Sequence, residues 1–130
     1  NEIISLANKG DISRINLQIK YISTSPLPVL PMDATASLFA NAQANASRED
    51  IALGLIGLVL QSIGSATILS SLNSDIRDFV LIGNLSLLPQ CELLFPVMEK
   101  IYDVRFIIPK NSEYCTAIGA ALQADKLKKI

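Results

Sequence analysis

Two short glycine-bearing segments hold the residues best suited to chemistry. In Val80-Leu81-Ile82-Gly83-Asn84-Leu85 a glycine turn follows a short apolar run and leads into a helical pattern. The carboxyl end of a strand that turns into a helix is where open α/β sheets bind ligands. Gly83 lets the backbone approach a ligand closely, and Asn84 offers both a donor and an acceptor. The second segment is Tyr114-Cys115-Thr116-Ala117-Ile118-Gly119-Ala120-Ala121. Small residues at the head of a helix allow close helix–strand contact, or a nucleotide resting on the helix N-terminus. Neither G-x-x-x-x-G-K-[ST] nor G-x-G-x-x-G occurs.

Other chemistries are excluded outright. The chain has no histidine, so a Ser-His-Asp triad, a Cys-His pair and a His-ligated metal are all impossible. Cys91 and Cys115 are too few for a disulfide framework or a four-cysteine zinc site. Each reads as a small buried residue, and a reduced, cytoplasmic compartment is the default. The formal net charge of −1 provides no basic excess to neutralise phosphates, so nucleic acid is not an expected partner. At 50% hydrophobic and 18% charged, the chain is not disordered, and 130 residues make one domain.

The elements that must position these residues follow from periodicity and punctuation. Residues 2–9 read as a short helix closed by Gly10 as its C′ residue. Residues 14–22 alternate apolar and polar, which fits a strand or a short helix. Residues 23–33 carry Pro26, Pro28 and Pro31 and form an ordered, extended connector. Residues 34–45 are small and mildly helical. Ser47 with Asp50 forms a capping box that opens a long helix from Arg48 to about Leu72. No residue from Ile51 to Ser74 is charged, which is long enough to span a bilayer. Charges of both signs flank the run and polar residues crowd its second half, so a buried core helix of a soluble protein is expected, with no membrane. Gly54, Gly57, Gln61, Gly64 and Ser65 share one face of it, suited to tight helix–sheet packing or to a subunit interface.

Residues 78–84 predict a short buried strand, and residues 87–101 a helix with Pro89 in its first turn and a kink or restart at Pro96. A second strand at 104–108 and a last helix from Glu113 or Tyr114 to Lys129 follow, the latter with a solvated basic tail of Lys126, Lys128 and Lys129. This alternation implies an α/β fold with a parallel strand pair. Two strands make a poor sheet alone. That argument, with Asn1 in place of Met, suggests a piece of a longer polypeptide.

Taken in order, these residues resemble a known family. The series is Leu6-Ala7-x-x-Gly10-Asp11, the proline connector, Thr35-Ala36-Ser37-x-Phe39, Glu49-Asp50-Ile51-Ala52 with its long helix, Phe79-Val80-Leu81-Ile82-Gly83-Asn84, and Ala117-Ile118-Gly119-Ala120. It is similar to the C-terminal part of a type II, eukaryotic-like pantothenate kinase, over nearly the whole chain. Ala40 stands where the family usually has glycine, and Cys115-Thr116 where it has an aromatic-glycine pair.

The resemblance implies residues 1–130 of an actin-like ATPase (the acetate and sugar kinase/Hsp70/actin fold). They would be the helix-rich C-terminal segment of its second ribonuclease-H-like domain, without the first strands and with an incomplete sheet. It implies phosphorylation of pantothenate with MgATP, the first step of coenzyme A synthesis, by a homodimer. By resemblance Gly83 and Asn84 face the nucleotide, while Thr35, Ala36 and Tyr114 approach the pantothenate pocket at the dimer interface. The family's Asp-Gly-Gly-Thr phosphate loop, its catalytic glutamate and its second glycine-rich phosphate segment are absent. ATP and Mg2+ would thus be held mostly by a missing N-terminal part of the same enzyme, and this chain alone would be inactive, with no catalytic residue and no metal ligand. The alternatives are a non-catalytic dimerisation or binding module and another sugar-kinase-like ATPase of the same fold.

Overall fold

The computed structural model describes residues 2–127. Its central element is helix α2, Arg48–Ser70. Ser47, in an extended conformation, caps it by accepting the Asp50 N–H at 3.0 Å. Glu49 and Asp50 lie in the first turn, where negative charge complements the helix dipole. One side of α2 is buried through Leu53, Ile56, Leu60 and Ile68. It packs against helix α1, Glu2–Ala7, and helix α3, Gln90–Tyr102. Cys91, Leu94, Phe95 and Met98 of α3 complete the core.

The three glycines of α2 are covered from within the chain, by a helix and two turns, whereas Gln61 and Ser65 on the same face line a cleft. Gly54 lies under Ile15 and Phe39, Gly57 under Ile12 and Leu94, and Gly64 under Met98 and Phe95. A methyl group added at Gly64 would meet only the mobile end of Met98 at close range, its Sδ at 2.6 Å and its Cε at 2.8 Å. Alanine also gains about 1 kcal/mol of helix propensity over glycine. Gly64→Ala should therefore change stability by less than about 1 kcal/mol in chemical denaturation, because Met98 can rotate away.

Helix α3 begins after Pro89, and Pro96 lies inside it without ending it. Of the kink or restart expected at Pro96, the restart does not occur. Both Pro96 and Glu92, whose carbonyl loses its helical donor, are exposed, so water can satisfy that carbonyl. Asp103 closes the helix in the left-handed conformation.

Strands β3, Asp78–Val80, and β4, Arg105–Ile107, pair in parallel as the alternation implied, with Phe79 opposite Phe106. Both rings lie towards α3, and Phe106 stacks 4.6 Å from Phe95. Arg105 donates to both oxygens of Asp78, at 2.7 and 2.6 Å, and holds that carboxyl below its ordinary pKa. The expected buried strand over 78–84 is shorter and half-exposed. Val80 and Ile107 face outwards, at 60% and 41% exposure, because no layer covers that side among the described residues.

The first third departs most from expectation. Helix α1 ends at Ala7, and Gly10 is not left-handed. In place of one element over 14–22 there are 3₁₀ turns at Ile12–Arg14 and Ile19–Tyr21 around a two-residue strand β1, Leu17–Gln18. The mildly helical stretch 34–45 is instead strand β2, Thr35–Ser37, antiparallel to β1, followed by turns. Side chains decide this. Buried Asn16 accepts the Phe39 N–H at 3.1 Å, holding Phe39 at φ 57°, and Gln18 donates to the Asp33 carbonyl at 2.8 Å. The proline connector contains neither helix nor strand, as expected.

Helix α4, Cys115–Leu127, follows a 3₁₀ turn at Ser112–Tyr114. It exposes Ile118 and Leu122, and a Cβ at Gly119 would meet nothing within 4 Å, so among the described residues the close helix–strand contact expected of its small residues is not made. The side chains of Lys126, Lys128 and Lys129, read as a basic tail, lie outside the described residues. The architecture is mixed α/β, with four helices and two small two-stranded sheets among the described residues.

Candidate functional site

The carboxyl ends of β3 and β4 meet at a pair of linked turns. Leu81 N–H extends the pairing by donating to the Ile107 carbonyl at 2.9 Å. Gly83 follows at φ 92°, ψ 174°, a conformation essentially reserved for glycine, and starts a 3₁₀ turn over Asn84–Leu87. Its N–H donates to the Ser112 carbonyl at 2.9 Å, and its carbonyl accepts from Ser86 Oγ at 2.7 Å. Ser86 and Ser112, both buried, share a hydroxyl–hydroxyl bond of 2.6 Å. Asn111, left-handed, opens the facing turn that ends at Tyr114. Gly83 and Asn84 are thus brought beside the turn that carries Tyr114, whose ring is 60% exposed. Space beside Gly83 is open: a Cβ there would meet nothing within 4 Å. The turn therefore presents bare backbone and the exposed Asn84 amide.

Thr35 and Ala36 lie elsewhere. Thr35 lines a cleft of about 180 Å³ between the β1–β2 segment, α2 and α3. Gln18, Gln61, Ser65 and, at the rim, Asp33 supply the rest of its polar wall, and Leu93, Val97, Ile101 and Tyr102 much of the apolar one. Thr35 Oγ1 accepts from Asn16 Nδ2 at 3.4 Å. Ala36 lines an adjoining open groove with Thr35, Ser37 and Ser62. The five residues singled out from sequence thus divide between two sites. Gly83, Asn84 and Tyr114 flank the strand ends, and Thr35 and Ala36 mark the cleft.

Sequence reasoning missed Ser86, Ser112 and Gln18, and placed Gln61 only on the small-residue face of α2. Serines in turns are common and carry no signal of mutual contact. Gln18 stood out only as a polar position in an alternating stretch. Cys91 is buried, and desolvation pushes its thiol pKa up, which leaves it inert. Cys115 is half-buried, and its thiol faces the Asn111 carbonyl at 3.7 Å. Among the described residues no group of three His, Cys, Asp or Glu side chains could hold a metal ion. Helix α2 has the length and composition to cross a bilayer, although its glycine-bearing side is buried in the fold.

No protein-family model matches this chain, and no curated protein matches it.

Proposed function

We propose that this chain is the C-terminal, nucleotide-side segment of a cytoplasmic kinase that phosphorylates pantothenate with MgATP to 4′-phosphopantothenate. The linked turns at the strand ends carry the reading. A glycine-only conformation with open space beside it lets a flat, polar adenosine approach the backbone, and Asn84 stands there with a donor and an acceptor. In this reading β3, β4 and their helices belong to an actin-like ATPase domain whose remaining strands extend the sheet at its edges. The cleft beside Thr35 receives the acceptor substrate. ATP carries the phosphoryl group and Mg2+ neutralises its charge. The described residues do not fit a metal centre, so the ion would be held by the nucleotide phosphates and by carboxylates outside this chain.

The homodimer expected of such a kinase has a surface available on α2. Ile51, Leu55, Leu58, Val59 and Leu69 are exposed on the side opposite the glycines and form an uncharged stripe. The same stripe favours the second reading, an assembly module without catalysis. The three glycines themselves are covered by the chain's own side chains.

The test is ATP-dependent conversion of pantothenate by the complete open reading frame, followed by mass spectrometry with sugars and N-acetylhexosamines as controls. Formation of 4′-phosphopantothenate with inert controls supports the kinase. ADP release only with another acceptor moves the substrate elsewhere within the same fold. No turnover and no nucleotide binding leave the assembly module. Gly83→Ala should raise the KM for ATP and cost about 1–3 kcal/mol of stability, because alanine at this φ is strained although space is free. An unchanged KM would remove the turn from the nucleotide site.

A further inference from the structure

Gly83 permits the backbone conformation at the strand ends but does not enforce it. A glycine reaches many conformations besides φ 92°, ψ 174°, so other groups must hold it there. Two buried hydroxyls do so. Ser86 Oγ lies 2.7 Å from the Gly83 carbonyl oxygen, which can only accept, so the single Ser86 hydroxyl proton is committed to that bond. Ser112 Oγ, 2.6 Å from Ser86 Oγ, must then be the donor of the hydroxyl pair. The Ser86 N–H also reaches the Gly83 carbonyl, at 3.1 Å, and the Gly83 N–H returns to the Ser112 carbonyl at 2.9 Å. The bonds form a closed, directed circuit, from the Ser112 hydroxyl through the Ser86 hydroxyl to Gly83 and back to Ser112. Both backbone polar groups of Gly83 are used within it. Ser112 and Ser86 are 0% and 8% exposed, so water does not readily replace a lost partner.

We infer that Ser86 and Ser112 are positioning residues of the nucleotide site, which hold the Gly83 turn in the conformation that presents Asn84 and bare backbone together. The inference rests on the reading of this turn as the nucleotide site. The two serines act through Gly83 and not on the nucleotide. Released from the circuit, the turn divides its population among several conformations, and apparent affinity falls with the fraction that stays competent. The direction of the circuit makes the two serines unequal. Ser86→Ala removes the bond to Gly83 and orphans the Ser112 hydroxyl. Ser112→Ala removes only the outer donor and leaves Ser86 bonded to Gly83.

The Kd of MgATP for the full-length protein is measured by isothermal titration calorimetry, at a temperature where circular dichroism shows each variant folded. Ser86→Ala should raise it about tenfold and Ser112→Ala about threefold. Adding Ser112→Ala to Ser86→Ala should weaken binding no further, because the hydroxyl removed is already orphaned. Asp50→Ala controls for lost stability alone: it breaks the bond between α2 and the Asp11 N–H, and should leave the Kd unchanged. Wild-type binding by Ser86→Ala, a larger effect of Ser112→Ala than of Ser86→Ala, or equal weakening by Asp50→Ala overturns the inference. Should Ser86→Ala fail to fold, Ser112→Ala against Asp50→Ala decides, and equal Kd values for the two overturn it. A wild type that binds no MgATP removes the nucleotide reading and the inference with it. A wild type that binds, with Ser86→Ala unaffected, removes the inference alone.

Discussion

Gly10→Ala is expected to destabilise the protein by about 3 kcal/mol or more, measured by urea denaturation. A Cβ at this position would lie 2.4 Å from the Glu49 carbonyl oxygen, 2.8 Å from its carbon and 2.9 Å from Leu53 Cβ. None of these atoms can move as the end of Met98 can. Two are backbone in the first turn of α2, and the third is fixed directly to it. Relief requires the Asn8–Asp11 loop to lift from the helix. Lifting would stretch the 2.8 Å bond from the Asp11 N–H to Asp50 Oδ1. A loss below about 1 kcal/mol would show that the loop does not rest on α2 as described.

The second large effect lies at the other end of that bond. Asp50 is 4% exposed, its Oδ1 accepts the Asp11 N–H, and Arg14 Nη1 lies 3.9 Å from its Oδ2. The Asp11 N–H first, and the Ser47 hydroxyl next, favour the ionised carboxylate and hold its pKa below the ordinary value, against the opposing effect of burial. Asp50→Ala should cost about 2–3 kcal/mol at neutral pH, by loss of a charge-assisted bond and exposure of an orphan donor. The sign of the pH dependence follows from the lowered pKa. Stabilisation by the carboxylate is complete above its unfolded value, about 3.9, and is lost as pH falls through the lower folded value. Wild-type stability should therefore decline below about pH 4, and the Asp50→Ala profile should be flatter there. Equal slopes for the two proteins would detach Asp50 from acid unfolding. Because Gly10→Ala breaks the same bond, the double variant should lose less than the two single losses combined.

Legibility along the chain followed the range of the interactions involved. Helix α2 was readable because Ser47, Asp50 and an unbroken apolar run act within a few residues of one another. The parallel pairing of β3 and β4 was readable because strand, helix and strand in succession leave little else for the chain to do. The Gly83 turn was readable because a glycine after an apolar strand marks a change of direction, and its φ of 92° requires that residue. Strands β1 and β2 were not readable. Two or three residues hold no period, and their pairing depends on Asn16 and Gln18 reaching Phe39 and Asp33 across the proline connector. Gly10 was recognised as a breaker, but the reason for it, a helix passing beneath, lies far along the chain.

The sequence by itself determined the long capped helix, the parallel strand pair, the glycine turn after it, and the exclusion of histidine chemistry. The helix, the turn and the exclusion depend on residue type or on near neighbours, and the strand pair on the succession of adjacent elements. Only the tertiary structure decided that the glycines of α2 are covered by the chain itself, that Ser86 and Ser112 lock two turns together, and that Gln18 and Gln61 line one cleft. These are contacts between segments remote in sequence, and side-chain geometry rather than backbone preference selects them. A linear pattern does not encode which distant surface will close over it.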